Sequence, residues 1–262
     1  MATTAPRPHA EPWPSPLRLG AGLAQPGGPA MVRRALEGVG LEAGDRVVEL
    51  APGIGATTAV LLERGPREWT GVEPDPIAAE HLERAFGGPG REVARAPVDA
   101  TGLGDDSASV LIVEALLSTL EDAEAAAVLE EARRVLRPGG RVALTELAPA
   151  DGAADPEAAD DLAGAGIRPR PVAAWRALAE GAGLVVVGSL GGRFAPPAPR
   201  ELMRAAGPRT ALRVTREIAR DGGLRSAVSS TRQTLERRAL SLRSALVVAE
   251  VPLILGMRRP RR

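Results

Sequence analysis

The sequence predicts an α/β fold built on a doubly wound, mostly parallel sheet, and three observations carry that prediction. Short apolar runs such as RVVEL at 46–50 and SVLIV at 109–113 have the length and composition of strands buried on both faces. Segments of helical period lie between them, among them PIAAEHLERAFGG from Pro76 and EDAEAAAVLEEARRVL from Glu121. Strands separated by helices need crossover connections, which give parallel pairing and a sheet covered on both sides.

The elements follow in order. Residues 1–28, rich in Pro, Gly and Ala, read as a disordered tail, and 29–262 as the folded domain. PAMVRRALEGVGL forms a first helix, with Met31, Val32, Ala35, Leu36 and Val39 on one face. The first strand is Arg46–Leu50, and the helix TTAVLLERG closes on Gly65. A second strand at Glu68–Val72 leads into the helix from Pro76, and a third spans residues 92–98. SVLIV is the fourth. The turn RPGG ends the helix after it and launches a fifth strand, RVALTEL. Residues 149–163 read as a polar, acidic loop. VAAWRALAEGAG then forms a helix, with Trp175 as a packing residue, and LVVVGSL a sixth strand. Over about 196–242 a helical period returns, with Leu224, Val228, Thr231, Leu235, Ala239 and Leu242 on one face. A last strand, PLILGMR at 252–258, precedes a basic tail.

Composition removes several chemistries. The chain has no cysteine, so thiolate nucleophiles, Cys-ligated zinc, iron–sulfur clusters and disulfides are excluded. Its two histidines are His9 in the tail and His81 on a helix, where it reads as a surface residue, so metal catalysis is not expected. Formal net charge is zero but unevenly spread: residues 191–262 hold 16 Arg against 5 acids, and residues 1–190 hold 17 Arg against 28. Solvated arginine faces are the plain reading of the basic half. No apolar leader or span of membrane length is present, so the expected location is cytoplasmic.

The chemistry concentrates at VVELAPGIGATT, residues 47–58. The chain leaves the first strand through Ala51-Pro52-Gly53-Ile54-Gly55 and enters a helix, and glycines at such a turn let backbone approach a ligand. A dinucleotide fingerprint starting at Gly53 would need a third glycine where Thr58 stands, and a P-loop would need a lysine the chain lacks. Ala51 is expected to hold a negative φ, and Pro52 cannot donate a hydrogen bond, so the turn should be stiff. Glu73, past the second strand in GVEPDP, suits the two hydroxyls of a ribose. Asp99, after the third strand, suits an adenine amino group.

Four segments in register, VVELAPGIGATT, GVEPDP, APVDATGLGDDSASVLIVEALLSTL and EEARRVLRPGGRVALTELAP, resemble the motifs of class I S-adenosylmethionine-dependent methyltransferases of the small-molecule type. The resemblance covers about residues 30–150. It implies a Rossmann-like, seven-stranded sheet with an antiparallel last strand and a helical lid inserted at about 196–242. It also implies that Ala51, Gly53, Gly55 and Pro74 line S-adenosylmethionine, with Glu49 near its ammonium group. Glu73 would hold the ribose, Asp99 and Ala100 the adenine, and Glu114 would face the sulfonium. Ala51-Pro52 departs from the family's usual Gly at this turn.

The implied reaction is direct methyl displacement onto an apolar or anionic small molecule. Glu114 and Glu146, each ending a central strand, are the candidates for a base. After the fourth strand the chain reads Glu114-Ala115-Leu116-Leu117, with no clamp for a flipped base, so nucleic acid is not expected. Aminopropyl transfer, an NAD-dependent oxidoreductase and a catalytically silent adenosine-cofactor-binding protein are the alternatives.

Overall fold

The computed structural model describes residues 25–150 and 155–253. The tail expected at 1–28 therefore lies largely outside the described residues. The chain runs α1 (Gly28–Gly38), β1 (Arg46–Leu50), α2 (Ala56–Leu62), β2 (Glu68–Val72), α3 (Pro76–Phe86), β3 (Arg91–Ala94) and β4 (Ala108–Glu114). It continues through α4 (Asp122–Val135), β5 (Leu136–Pro149), α5 (Pro156–Gly164), α6 (Val172–Gly181) and β6 (Val185–Arg193). Three helices, α7 (Pro199–Ala205), α8 (Gly207–Arg220) and α9 (Gly222–Arg237), precede β7 (Leu242–Glu250).

One seven-stranded sheet has the order β3-β2-β1-β4-β5-β7-β6. β1 pairs in parallel with both β2 and β4, β2 with β3, and β4 with β5. β7 is antiparallel to both its neighbours, β5 and β6. The strand order reverses between β1 and β4, and in such sheets a ligand crevice opens at the carboxyl ends of those strands.

Side-chain alternation sorts the core into two layers. Val48 and Leu50 of β1 and Leu111 and Val113 of β4 face α4 and α6. Val47, Val110 and Ile112 face α1, α2 and α3, where Leu36, Leu61 and Leu82 pack. This period of two on central parallel strands explains the continuous apolar runs. Trp175 of α6 is fully buried, donates from Nε1 to the Leu147 carbonyl at 2.9 Å, and carries the Arg170 guanidinium 4.8 Å from its ring centre.

Three expectations change. The acidic stretch 149–163 contains α5: Asp155 caps it by accepting from the Ala158 N–H at 3.1 Å, and Pro156 takes its first turn. The third strand stops at Ala94. The last strand is Leu242–Glu250, upstream of PLILGMR, most of which lies outside the described residues. Pro252 comes after that strand, because a proline cannot supply the ladder N–H of an inner position. The helical period therefore ends at Arg237.

Helices α7, α8 and α9 follow one another through single residues. Ala206 caps the end of α7 and the start of α8, and Asp221 does the same between α8 and α9.

Truncating Trp175 to Ala should cost about 3–5 kcal/mol, chiefly from the cavity left by the buried ring. Urea unfolding measures it. A loss below about 1 kcal/mol would mean the indole is not part of the core.

Candidate functional site

β1 delivers the chain to the crevice, and Ala51 turns it out of the sheet. Its N–H donates to the Val72 carbonyl of β2 at 2.8 Å, and its φ is +49°. The expected negative φ is overturned: a buried alanine occupies the left-handed region at a cost of about 1 kcal/mol relative to glycine. The reason lies in the sheet. Ala51 must still complete the ladder to β2 while the next residue leaves it. Ala115, the residue after β4, repeats the device with φ +50° and an N–H donated to the Thr145 carbonyl at 2.8 Å.

Gly53 and Gly55 hold φ of +64° and +79°. Pro52 offers no donor, so the turn's donor is Gly53, whose N–H reaches Glu73 Oε2 at 2.8 Å. The glycine at 55 answers to packing: a Cβ there would lie 2.3 Å from Phe86 Cε2 of α3.

The predicted acids occupy different surroundings. Glu73 is buried at the end of β2, and its other oxygen accepts the Asp75 N–H at 2.9 Å. Asp75 in turn caps α3 by accepting from the Ile77 and Ala78 N–H groups, and Pro74 between them is half-buried. Glu49 is buried under α2, where Thr58 Oγ1 and Trp69 Nε1 donate to it at 2.7 and 3.0 Å. Asp99, half-buried, and Ala100, exposed, lie in the turn after β3. That turn is pinned by Thr101, whose N–H donates to Glu131 of α4 at 2.8 Å. Glu114 ends β4, half-buried, and accepts the Thr57 hydroxyl of α2.

Glu146 is enclosed completely. Its carboxylate takes the N–H groups of Leu116, Leu117 and Ser118 at 3.2, 2.9 and 2.9 Å and the Ser118 hydroxyl at 2.6 Å. Burial pushes its carboxyl above the ordinary range, against four donors that favour the charged form. A carboxylate so engaged caps the turn after β4 and is poorly placed to serve as a base.

The structure thus joins Gly53 to Glu73 directly and Glu114 to the turn's helix through Thr57. Gln25, Thr57 and Trp69 are site neighbours that the sequence does not single out, since an isolated side chain carries no periodic signal. A cavity of about 370 Å³ beyond the end of β5 is lined by Pro149, Ala158, Leu162 and Leu240 among others, and by none of the predicted site residues. Among the described residues, no group of three His, Asp or Glu side chains could hold a metal ion, and no helix is long and apolar enough to cross a membrane.

His81 corrects the expectation of a surface residue. It is buried, with Nε2 3.1 Å from the Ile54 carbonyl and Nδ1 2.8 Å from Thr210 Oγ1 of α8. The tautomer consistent with both partners donates from Nε2 and accepts at Nδ1. Leu202, Ala206 and Val214 of α7 and α8 pack there on Ile54 and Ile77, so the inserted helices rest on the glycine turn itself. Burial holds the His81 imidazole below its usual value of 6.5.

Gly55→Ala should destabilise by about 2–4 kcal/mol, combining a strained φ with a clash against Phe86, and thermal unfolding would measure it. His81 is expected to make stability depend on pH. The folded state disfavours its charged form, so the unfolded chain binds more protons below 6.5 and stability falls as pH drops through that value. The stability gap between the protein and His81→Gln should therefore be wider at about pH 7.5 than at about pH 5.5. An equal gap at both would show that the imidazole is not the titrating group.

A family model described as a methyltransferase domain matches residues 47–140. Ribosomal RNA small subunit methyltransferase A of Gloeobacter violaceus is 44% identical over 64 residues, covering 24% of this chain and 23% of that protein. The matched region thus spans about a quarter of that curated relative's length. The cyclase SpnF superposes with TM-score 0.64 at 17% identity, over 86% of this chain and 80% of that one. A putative sarcosine dimethylglycine methyltransferase from Galdieria sulphuraria gives 0.60 at 14%, over 85% and 84%. A geranyl diphosphate C-methyltransferase from Streptomyces coelicolor, solved with Mg2+, geranyl diphosphate and S-adenosyl-L-homocysteine, gives 0.59 at 12%, over 84% and 76%. At such identities these structures speak for the fold alone. Residues 47–140 thus match the model of a methyltransferase domain, and the chain around them has the seven-stranded fold seen in the solved methyltransferases.

Proposed function

We propose that this protein transfers a methyl group from S-adenosylmethionine to a small molecule. The observation that carries the reading is the pairing of the Gly53 N–H with Glu73 at the switch-point crevice, beneath helices packed on Ile54. The residues present fit an adenosine-bearing cofactor. Two glycines hold positive φ in the turn, and acids stand at or just beyond the ends of β2, β3 and β4. In this reading Glu73 receives the ribose hydroxyls, Asp99 and Ala100 border the adenine, and Gly53 and Ala51 form the turn beneath. Both Glu73 oxygens accept a backbone N–H, which fixes the carboxylate at the end of β2 beside the turn.

When bound, the cofactor supplies a methyl carbon already activated by its positive sulfur. The chain's work is then to align the acceptor, exclude water and receive any proton the acceptor releases. Alignment alone can supply about 7–11 kcal/mol of such a barrier. Glu114 is the group that would take that proton, since Glu146 is fully engaged with the turn after β4. Helices α7–α9 act as the lid, with α7 and α8 covering the turn.

The residues just after β4 favour a small acceptor over a nucleobase. Leu116 and Leu117 are fully buried there, leaving no side chain to grip a flipped base. A cyclase on the same fold is a reminder that architecture does not fix chemistry. The methyltransferase domain match and the acids around the turn carry the reading here.

Calorimetry should detect binding of S-adenosylmethionine and S-adenosylhomocysteine and none of NAD. Binding of NAD alone would overturn the reading. Glu73→Gln should weaken cofactor binding about tenfold or more. Glu73→Ala would also strand the Gly53 and Asp75 N–H groups and so confound affinity with stability. Transfer of labelled methyl into an extract of the native organism, with the product identified by mass spectrometry, tests the acceptor class. Label recovered only in RNA would refute a small-molecule acceptor.

A further inference from the structure

The described chain begins with a residue whose placement the fold does not explain. Gln25 is 5% exposed, and its φ of +52° puts it in the left-handed region immediately before Pro26. That conformation costs a non-glycine residue about 1 kcal/mol, more before proline. The turn is pinned on both sides: the Gly28 N–H donates to the Gln25 carbonyl and the Ala195 N–H to the Pro26 carbonyl, both at 2.8 Å. What this holds in place is the Gln25 side chain, whose Nε2 donates to Thr57 Oγ1 at 3.1 Å. Strain kept at a buried polar residue points to a role beyond packing.

The chain of bonds has one direction. Thr57 has a single hydroxyl hydrogen, and the Glu114 carboxylate accepts it. The amide of Gln25 must then present N–H to Thr57, since its oxygen would compete for the hydrogen that Glu114 already takes. Two neutral donors in series therefore orient a carboxylate at the switch point between β1 and β4.

We propose that Gln25 and Thr57 are positioning residues. They hold Glu114 so that the site favours a cofactor bearing a positive sulfonium over the neutral thioether left after transfer. The inference rests on the methyl-transfer reading and assigns it a means of releasing product. A fixed carboxylate attracts a cation more strongly than one that can turn into solvent, and the thioether gains nothing from it.

The test compares calorimetric affinities for S-adenosylmethionine and S-adenosylhomocysteine, with the ratio of the two as the readout. A fault that merely loosens the site lowers both affinities and leaves the ratio alone. Glu114→Gln should shift the ratio about tenfold towards the thioether. Thr57→Val and Gln25→Ala should shift it the same way by about threefold, and Thr57→Ser should restore it. Gln25→Ala lies outside the sheet and serves if Thr57→Val fails to fold by circular dichroism. A ratio unchanged in Glu114→Gln, or a shift in Glu114→Gln with none in Gln25→Ala, overturns the inference while leaving methyl transfer standing. A wild-type protein that binds neither compound overturns both.

Discussion

The carboxylates at the ends of the central strands hold the crevice together, each gripping a loop that leaves a neighbouring strand. Glu73 of the β2 edge takes the Gly53 N–H from the turn after β1. Glu146 of β5 takes three N–H groups from the turn after β4. Glu114 of β4 takes the hydroxyl of Thr57 on the helix after β1. Loops at this edge leave the sheet with unpaired N–H groups in a region shielded from water, and a buried donor left alone costs about 1–3 kcal/mol. Acids from the adjacent strand meet that need by accepting those hydrogens. Ala51 and Ala115, each in the left-handed region and each completing one last ladder bond, bring the two turns within reach.

This lattice makes the glycine turn after β1 a structural member in its own right. Ile54 sits in its middle, and three elements converge on it: α3 through His81, α7 through Leu202, and α8 through Val214 and Thr210. The apolar and polar contacts reinforce each other, since the neutral imidazole satisfies both the Ile54 carbonyl and the Thr210 hydroxyl in a place with little room for water.

Sequence patterning reveals the sheet because its strands are uniformly apolar, and it singles out Glu73 and Asp99 because they follow strands. It failed where identity depends on a distant partner. His81 looks like a surface residue beside Glu80, and only the arrival of Thr210, far along the chain, buries it. Ala51 defied its intrinsic φ preference because a ladder bond to Val72 outweighs it. Glu146 resembles Glu114 in position, yet one caps a turn through four donors while the other meets α2 at the crevice. The helix α5 was hidden by acidity, although Asp155-Pro156 is a helix-start signal of the ordinary kind. Leu242 continues the helical period of α9 by coincidence, which pushes the expected last strand downstream to PLILGMR.

The single-residue joints at Ala206 and Asp221 have a mechanical consequence. With no slack between them, α7, α8 and α9 behave as one jointed strut whose ends are anchored at different places. The α7 end bears on Ile54 at the glycine turn, and Leu235 near the α9 end packs with Leu147 and Leu162 beside the far end of β5. A displacement at the turn cannot be absorbed by a loop along the way. The three helices thus tie the turn after β1 to the packing beneath α5.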